Sequence, residues 1–267
     1  LSINRNKRSV TLDVSKPEGQ EIAKRLIARS DIFVENFKVG DMERYGLAYD
    51  QIKYDFPRLI YCSITGFGQT GPYAPRAGYD LMIQAMSGMM SITGRADGVP
   101  GGGPQRVGVA LTDLFTGTFA ATSILAALEV RNRTGQGQHI DMALLDTQVA
   151  MLANLGANHL VAGTVPGRMG NAHQNIVPYQ VFEVAPAADG SKDFIILAVG
   201  NDGQFAKFCA VAGRPELAAD PRYASNRLRV THRAELVPLL EPILKSRPKA
   251  DWLAALPATR LATLGDL

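Results

Sequence analysis

Short apolar runs alternate with helical stretches along the first part of the chain. SVTLDV, Ser9 to Val14, alternates apolar and polar residues with the period of a strand, and an amphipathic stretch beginning near Pro17 follows it. DIFVENF and LIYCSITGFG predict two further strands. Because strands alternate with helices, we expect an α/β domain with a largely parallel sheet.

The middle and the end of the chain predict long helices and a hairpin. YDLMIQAMSGMMSITG and DLFTGTFAATSILAALEVRNRTG are apolar at helical spacing, and the second ends at Gly135, as at a glycine C-cap. VFEVAPAADGSKDFIILAVG has the turn chemistry of a β-hairpin, with its bend at Ala188-Asp189-Gly190. We predict a large domain over residues 1–150, a linker over 151–171 and a smaller domain over 172–267.

Composition excludes several classes of protein. The 267 residues are 46% hydrophobic, enough for a sizeable core, and the formal charge of +3 is spread along the chain, which argues against a dedicated nucleic-acid binder. Cys62 and Cys209 lack the spacing of a disulfide framework or a zinc site.

The given sequence contains no recognisable targeting segment. We find no signal peptide and no apolar run approaching the roughly 20 residues of a membrane span, and so expect no membrane partner. These features predict a cytoplasmic protein, or a mitochondrial one if a transit peptide precedes Leu1. Since the chain begins without methionine, we expect further sequence at both ends.

One carboxylate lies between an apolar run and an apolar helix, in VGVALTDLFTG. Asp113, or Thr112 beside it, is placed to cap that helix, where the dipole favours negative charge by about 0.3–1 kcal/mol. The same N–H groups would hold a carboxylate nucleophile ionised and oriented. The segment alone favours the cap, and both interpretations stay open at this point.

Other chemistry-bearing residues give weaker signals. The four histidines form no metal-ligand pair with a carboxylate, so we expect no metal site; His139 is interpreted as structural, and His173, in a glycine- and asparagine-rich loop, as a functional candidate. Ser63 lies inside a predicted strand and not in a G-x-S-x-G elbow, which disfavours a serine hydrolase.

Six ordered segments resemble the signatures of the class III CoA-transferases, the group that contains formyl-CoA and carnitine CoA-transferases. The segments are NRNKRSVTLDVSKPEG, DIFVENF, LIYCSITGFGQTGPYAPRAGYDLMIQAMSG, VALTDLFTG, RNRTGQGQHIDMALLD and GNAHQNIVPYQVF. Within the family, YCSITGFGQTGP, GNAHQNIVPYQ and GNDGQFAKFC are most similar to the succinyl-CoA:glutarate (hydroxymethylglutarate) subgroup.

The resemblance implies a fold and an activity. The fold is a Rossmann-like large domain with a parallel sheet and a smaller α+β domain, assembled as an interlocked homodimer. The activity moves CoA from an acyl-CoA such as succinyl-CoA to a carboxylic acid, with a dicarboxylate such as glutarate as a candidate acceptor. The reaction runs through an aspartyl anhydride and an aspartyl-CoA thioester, so CoA is a substrate and no tightly bound cofactor is expected.

The resemblance also implies site residues. The catalytic aspartate of the family matches Asp113, and Arg168 is a candidate cation for a dicarboxylate. Family contacts to CoA match eleven positions: Leu12, Asp13, Val14, Ser15, Asn36, Phe37, Arg44, Ala77, Gly78, Tyr79 and Asp80.

Two alternatives remain open. The related α-methylacyl-CoA racemases carry a GHD triplet whose histidine serves as an acid/base group, whereas this chain has Gly78-Tyr79-Asp80. The missing imidazole favours transfer over racemisation. The other alternative is a truncated, non-catalytic CoA-binding fragment, since family members extend beyond both ends of this sequence.

Overall fold

The computed structural model describes residues 2–256 and 261–263 and divides the chain into two compact units. The first unit comprises Leu1–Thr93 and Gln105–Val165, and the second comprises Gly94–Pro104 and Pro166–Leu267. The loop 94–104 therefore belongs to the second unit, although it lies within the stretch assigned above to the large domain.

A parallel sheet organises the first unit. Its strands are β1 (Ile32–Glu35), β2 (Ile60–Thr65) and β3 (His139–Ala143), in that spatial order. The predicted α/β fold with a parallel sheet is confirmed. A 3₁₀ turn at Ser2–Asn4 precedes the helices of the first unit. These helices are α1 (Pro17–Ile27), α2 (Asp41–Arg44), α3 (Tyr49–Ile52), α4 (Asp80–Met86), α5 (Met89–Ile92), α6 (Leu111–Thr134), α7 (Leu144–Ala150) and α8 (Ala153–Ala162).

Helices cover both faces of this sheet because successive strand residues point to opposite sides. On one face Cys62 and Met142 pack against Ala120 of α6. On the other, Tyr61 packs with Ile27 of α1 and Ile52 of α3. At the carboxyl ends of the strands, a loop leads from β2 towards α4, and β3 runs directly into α7.

Two predicted elements differ from the structure. The strand expected over Ser9–Val14 is wrong: the segment is irregular, and Val10 is 63% exposed. A strand needs a neighbour for its N–H and C=O groups, and no described strand pairs with this segment. The helix predicted after Tyr79 is broken into α4 and α5 at Gly88, whose φ of 90° favours glycine.

Helix α6 is the longest described helix, and its predicted end at Gly135 is confirmed by a left-handed φ of 80°. Its 24 residues are long and apolar enough to match a membrane span by length and composition, contrary to the expectation above. Core helices that are mostly buried pass the same test, whereas 22% of the matching stretch of α6 is buried in this structure. In this fold α6 packs against α4, α7 and the sheet.

The second unit is built around an antiparallel sheet. Its strands are β4 (Tyr179–Glu183), β5 (Phe194–Ala198) and β6 (Leu261–Thr263). The predicted hairpin is confirmed, with Gly190 at a φ of 82° and Asp189 accepting hydrogen bonds from Ser191. Its helices are α9 (Asp202–Val211), α10 (Pro215–Ala219), α11 (Asn226–Thr231), α12 (Arg233–Lys245) and α13 (Lys249–Ala255).

A fully buried arginine ties α11 to the rest of the second unit. Arg229 donates to the carbonyls of Val177 at 2.8 Å and Tyr223 at 2.9 Å, and to the Asp202 carboxylate at 2.9 Å. Its guanidinium also lies 4.5 Å from the centroid of the Phe205 ring. Because a buried charge is tolerated only when it is fully paired, these contacts are needed for the fold of this unit.

Candidate active site

Two glycines bring the loop after β2 against the start of α4. A Cβ placed on Gly66 would lie 2.5 Å from the Cα of Gly78, and one on Gly78 would collide with Gly66 in the same way. Neither position has room for a side chain. The segment Ala77–Asp80 is therefore held at the carboxyl end of β2, where open α/β sheets bind their ligands.

Asp80 connects the starts of α4 and α6. Its Oδ1 accepts the Thr112 backbone N–H at 2.8 Å, and its Oδ2 accepts the Gln84 side-chain N–H at 2.7 Å. The N-cap residue of α6 is Ala110, which has no capping side chain. The expectation that Thr112 or Asp113 caps this helix is wrong, because the carboxylate of a neighbouring helix already occupies that position.

Thr112 is buried and is also held by α7. Its hydroxyl donates to Oε1 of the buried Gln148, and one turn later the hydroxyls of Thr116 and Thr147 lie 2.7 Å apart. The first turn of α6 is therefore fixed by α4 and by α7. The next side chain along the helix, Asp113, lies on the exposed side.

The environment of Asp113 differs from that expected of an ordinary helix-start carboxylate. Partial burial, with the negative charge of Asp80 as the second cause, raises the pKa of Asp113 above its usual value. We expected the helix start to favour the ionised form of Asp113, and the direction of its pKa shows the opposite. A raised pKa also makes the ionised oxygen more basic, and therefore a better nucleophile. One turn on, a Cβ at Gly117 would meet no atom within 4 Å, so the helix leaves open space there.

Several predicted CoA contacts meet at a different place in the first unit. Leu12, Val14 and Phe37 line an apolar cavity of about 230 Å³, whose lining does not include Asp113. Arg44 lies over the Tyr45 ring, 5.0 Å from its centroid, and that ring packs edge-on against Phe37.

Polar members of the predicted CoA set stabilise the surrounding loops. Asn36 donates to the carbonyl of Ile64 at 2.6 Å, and Asp13 accepts two hydrogen bonds from Ser15. Tyr79 is 73% exposed directly before α4. Of the predicted residues, Leu12, Val14 and Phe37 thus share one cavity, and Asp80 contacts the first turn of α6, which carries Asp113.

The histidines singled out above are both half-buried, and each contacts a tyrosine ring. His139 is 2.9 Å from the Ser63 hydroxyl and stacks on Tyr49, and burial lowers its pKa. His173 stacks on Tyr179 and accepts the Asn175 N–H.

Arg168, considered above as a substrate cation, donates to Asp97 within the second unit. A charge-paired guanidinium has less free capacity for a substrate carboxylate. Among residues 2–256 and 261–263, no group of three or more histidine, cysteine or acidic side chains could hold a metal ion.

Gln84 and Gln148 are site residues that the sequence analysis missed. Both are fully buried, and their partners Val107 and Thr112 lie 23 and 36 residues away in sequence. The available signal was a glutamine within an apolar helical stretch, a pattern that often indicates a buried polar contact. Nothing in the local sequence identifies the partner.

Comparisons with known proteins agree with this fold. Residues 1–263 match the family described as CoA-transferase family III. The chain is 50% identical over 252 residues to a succinate–glutarate CoA-transferase of Agrobacterium fabrum, covering 94% of this chain and 60% of that protein. It is 46% identical over 253 residues to the succinyl-CoA:glutarate CoA-transferase of Mus musculus, covering 95% and 56%.

Solved structures show the same similarity. A CAIB/BAIF family protein from Brucella suis is 51% identical with a TM-score of 0.71, covering 93% of this chain and 63% of that one. A hypothetical protein from Mycobacterium tuberculosis is 31% identical with a TM-score of 0.82, covering 98% and 68%. The chain spans 60% and 56% of the lengths of the two curated relatives named above.

Proposed function

Because the chain belongs to CoA-transferase family III, we propose that it carries the active centre of a CoA-transferase with Asp113 as its nucleophile. Enzymes of this family use CoA thioesters as substrates. The proposed reaction moves CoA from an acyl-CoA to a free carboxylic acid.

The observation that carries the proposal is the placement of Asp113. A carboxylate nucleophile must be fixed in direction, reachable by the substrate and able to ionise. The buried Thr112 fixes the helix turn, the Asp113 side chain is exposed, and Gly117 leaves open space along the same helix. These three features together suit attack on a bulky thioester better than a purely structural role.

The proposed first half-reaction conserves the energy of the thioester. An ionised Asp113 oxygen attacks the thioester carbonyl carbon, the C–S bond breaks, and a mixed anhydride and CoA thiolate result. The thiolate attacks the Asp113 carbonyl carbon and expels the donor acid as its carboxylate. The enzyme then holds an aspartyl-CoA thioester, and no proton has been gained or lost.

The second half-reaction repeats these steps in reverse order with a new acid. The acceptor carboxylate attacks the aspartyl-CoA carbonyl and expels CoA thiolate, which forms a second mixed anhydride. The thiolate then attacks the acceptor's acyl carbon, which yields the new acyl-CoA and frees the Asp113 carboxylate. Water must be excluded while either intermediate exists, since its hydrolysis would lose the free energy of the thioester bond.

We further propose dicarboxylate substrates, succinyl-CoA as donor and glutarate as a candidate acceptor. The support is similarity to two enzymes whose names specify succinate or succinyl-CoA together with glutarate. We also propose a homodimer, as implied by the family resemblance. Large exposed apolar side chains on α6, Leu114 at 60% and Leu125 at 66%, are compatible with a covered surface in an assembly.

The test is direct capture of the intermediate. The purified protein is incubated with succinyl-CoA, treated with hydroxylamine, and digested for peptide mass mapping; the expected label lies on Asp113. Asp113→Asn should lose the label, whereas the matched control Asp146→Asn, an exposed carboxylate on α7, should keep it. A label on another residue, or in the Asp113→Asn variant, would refute the assignment.

A further inference from the structure

We propose that Asp80 is a positioning residue for the Asp113 nucleophile, acting through Thr112. This inference rests on the role proposed above for Asp113. It gives Asp80 a role beyond the CoA contact that the family resemblance implies. The structure supports it through the hydrogen bonds of Asp80 and through the charge that Asp80 brings to the site.

Both carboxylate oxygens of Asp80 are engaged within the protein. Oδ1 accepts the Thr112 N–H and Oδ2 accepts the Gln84 side-chain N–H. Gln84 in turn accepts the backbone N–H of Val107 at 3.0 Å through its Oε1. The pair formed by Asp80 and Gln84 therefore holds both ends of the segment from Val107 to Thr112, which leads directly into Asp113.

These hydrogen bonds fix the backbone of Thr112, and with it the position of Asp113, the next residue. Gln84 and Thr112 are both fully buried, so neither has free space into which to relax. Thr112 is additionally bonded to Gln148 of α7. A change at Asp80 therefore releases one of two supports of the turn that carries Asp113.

The charged groups around the first turn of α6 are few. Helix α4 contributes Asp80, and helix α7 contributes the neutral Thr147 and Gln148 together with the exposed Asp146. The sheet residues that pack with α6 in its apolar cluster, Cys62, Ile64, Ile140 and Met142, are uncharged. Of these groups, Asp80 is the one whose charge acts on Asp113.

The charge of Asp80 distinguishes it from a neutral cap. An asparagine would also accept the Thr112 N–H, but it would bring no negative charge to the neighbouring nucleophile. Two nearby carboxylates make ionisation of one of them harder, and the resulting anion is more basic. A carboxylate at this position therefore serves both the geometry and the reactivity of Asp113.

The experiment separates charge from geometry with two variants and one control. Asp80→Asn removes the charge and keeps an acceptor for Thr112, but it also loses the acceptor for the Gln84 side-chain N–H. Gln84→Met removes that same hydrogen bond without altering charge and so controls for its loss, and Asp146→Asn removes a charge from α7. Two measurements are made on each: the titration of the Asp113 carboxyl by ¹³C NMR, assigned with Asp113→Asn, and the pH dependence of single-turnover acylation by succinyl-CoA. Thermal unfolding confirms that each variant is folded.

We expect Asp80→Asn to lower the pKa of Asp113 and to move the acid limb of acylation to lower pH. Gln84→Met should slow acylation, by up to about a hundredfold if the nucleophile shifts by an ångström, without lowering that pKa. The control should match the wild type in both measurements.

Two results would overturn the inference. These are an unchanged Asp113 titration in Asp80→Asn, or an equal shift of that titration in Asp146→Asn. Failure of the proposed function is distinguishable, because it would appear as absent acylation in the wild type. The NMR titration needs no turnover and would still test the effect of Asp80 in that case.

Discussion

Asp80 accepts the backbone N–H of Thr112 at 2.8 Å, so the carboxylate at the start of α4 caps α6. Asp113, the residue after Thr112, is therefore not needed as a cap, and it lies on the exposed side of the helix. An aspartate that caps its own helix has its oxygens engaged with backbone N–H groups. Asp113 keeps its oxygens available for chemistry because a neighbour performs that task.

The raised pKa of Asp113 predicts how stability depends on pH. Ionisation of Asp113 is less favourable in the folded protein than in the unfolded chain, so stability present at low pH is lost as the pH rises through the folded-state value. Asp113→Asn cannot ionise and should keep that stability. At pH 7 its unfolding temperature should exceed that of the wild type, and the gap should narrow below about pH 4.

Unfolding monitored by circular dichroism from pH 3 to 8 provides this measurement. The pH dependence of the gap is the relevant quantity, because a constant offset would reflect only the exchange of side chains. A wild type that gains stability over the variant as the pH rises would contradict the direction given for Asp113.

The contact between Gly66 and Gly78 predicts a steric effect. Gly78→Ala places a Cβ against backbone of the loop after β2, where no flexible side chain can move aside. Overpacking of this kind costs about 1–3 kcal/mol. Urea unfolding should show that loss, together with reduced acylation, because the segment carrying Asp80 is displaced.

Gly190→Ala serves as a comparison, since Gly190, in the hairpin bend of the second unit, has open space around it but a φ of 82°. It should be destabilised through backbone conformation and leave acylation nearly intact. Equal effects of the two substitutions on acylation would show that the contact between Gly66 and Gly78 does not position the site.

We predict that alanine at position 117 stabilises the protein and weakens its use of acyl-CoA. A Cβ there meets no atom within 4 Å, and alanine favours a helix interior over glycine by about 0.5–1 kcal/mol. Gly117→Ala should therefore raise the free energy of unfolding. If the acyl group occupies this space, the same variant should raise KM for acyl-CoA, as steady-state kinetics would show. An unchanged KM would place the acyl group elsewhere.

The buried Arg229 predicts a large effect in the second unit. Arg229→Ala leaves the carbonyls of Val177 and Tyr223 without their donor, at about 1–3 kcal/mol for each buried group. The matched control is Arg222→Ala, which removes exposed ion pairs to Asp220 and Glu235 worth roughly 0–1 kcal/mol. Limited proteolysis should cleave the second unit of the first variant faster. Similar cleavage of both variants would contradict this prediction.

Local sequence patterns determined most of the secondary structure. The strands at residues 32–35 and 60–65, the end of α6 at Gly135 and the hairpin around Gly190 follow from periodicity and glycine conformation, which act over a few residues. The strand expected at Ser9–Val14 failed because a strand requires a partner, and alternation within one segment cannot supply it. The six ordered segments identified the family without structural information, and the family match confirmed it.

The environment of Asp113 was decided by tertiary structure alone. The sequence identified a carboxylate at a helix start and could not separate a cap from a nucleophile, because both need the same local residues. The distinction depends on Asp80, which lies 32 residues from Thr112 in sequence and meets it only after α4 and α6 pack together. Hydrogen bonds and charges act between residues that are close in space. The raised pKa of Asp113 and the capping of its helix by Asp80 therefore arise only in the folded chain.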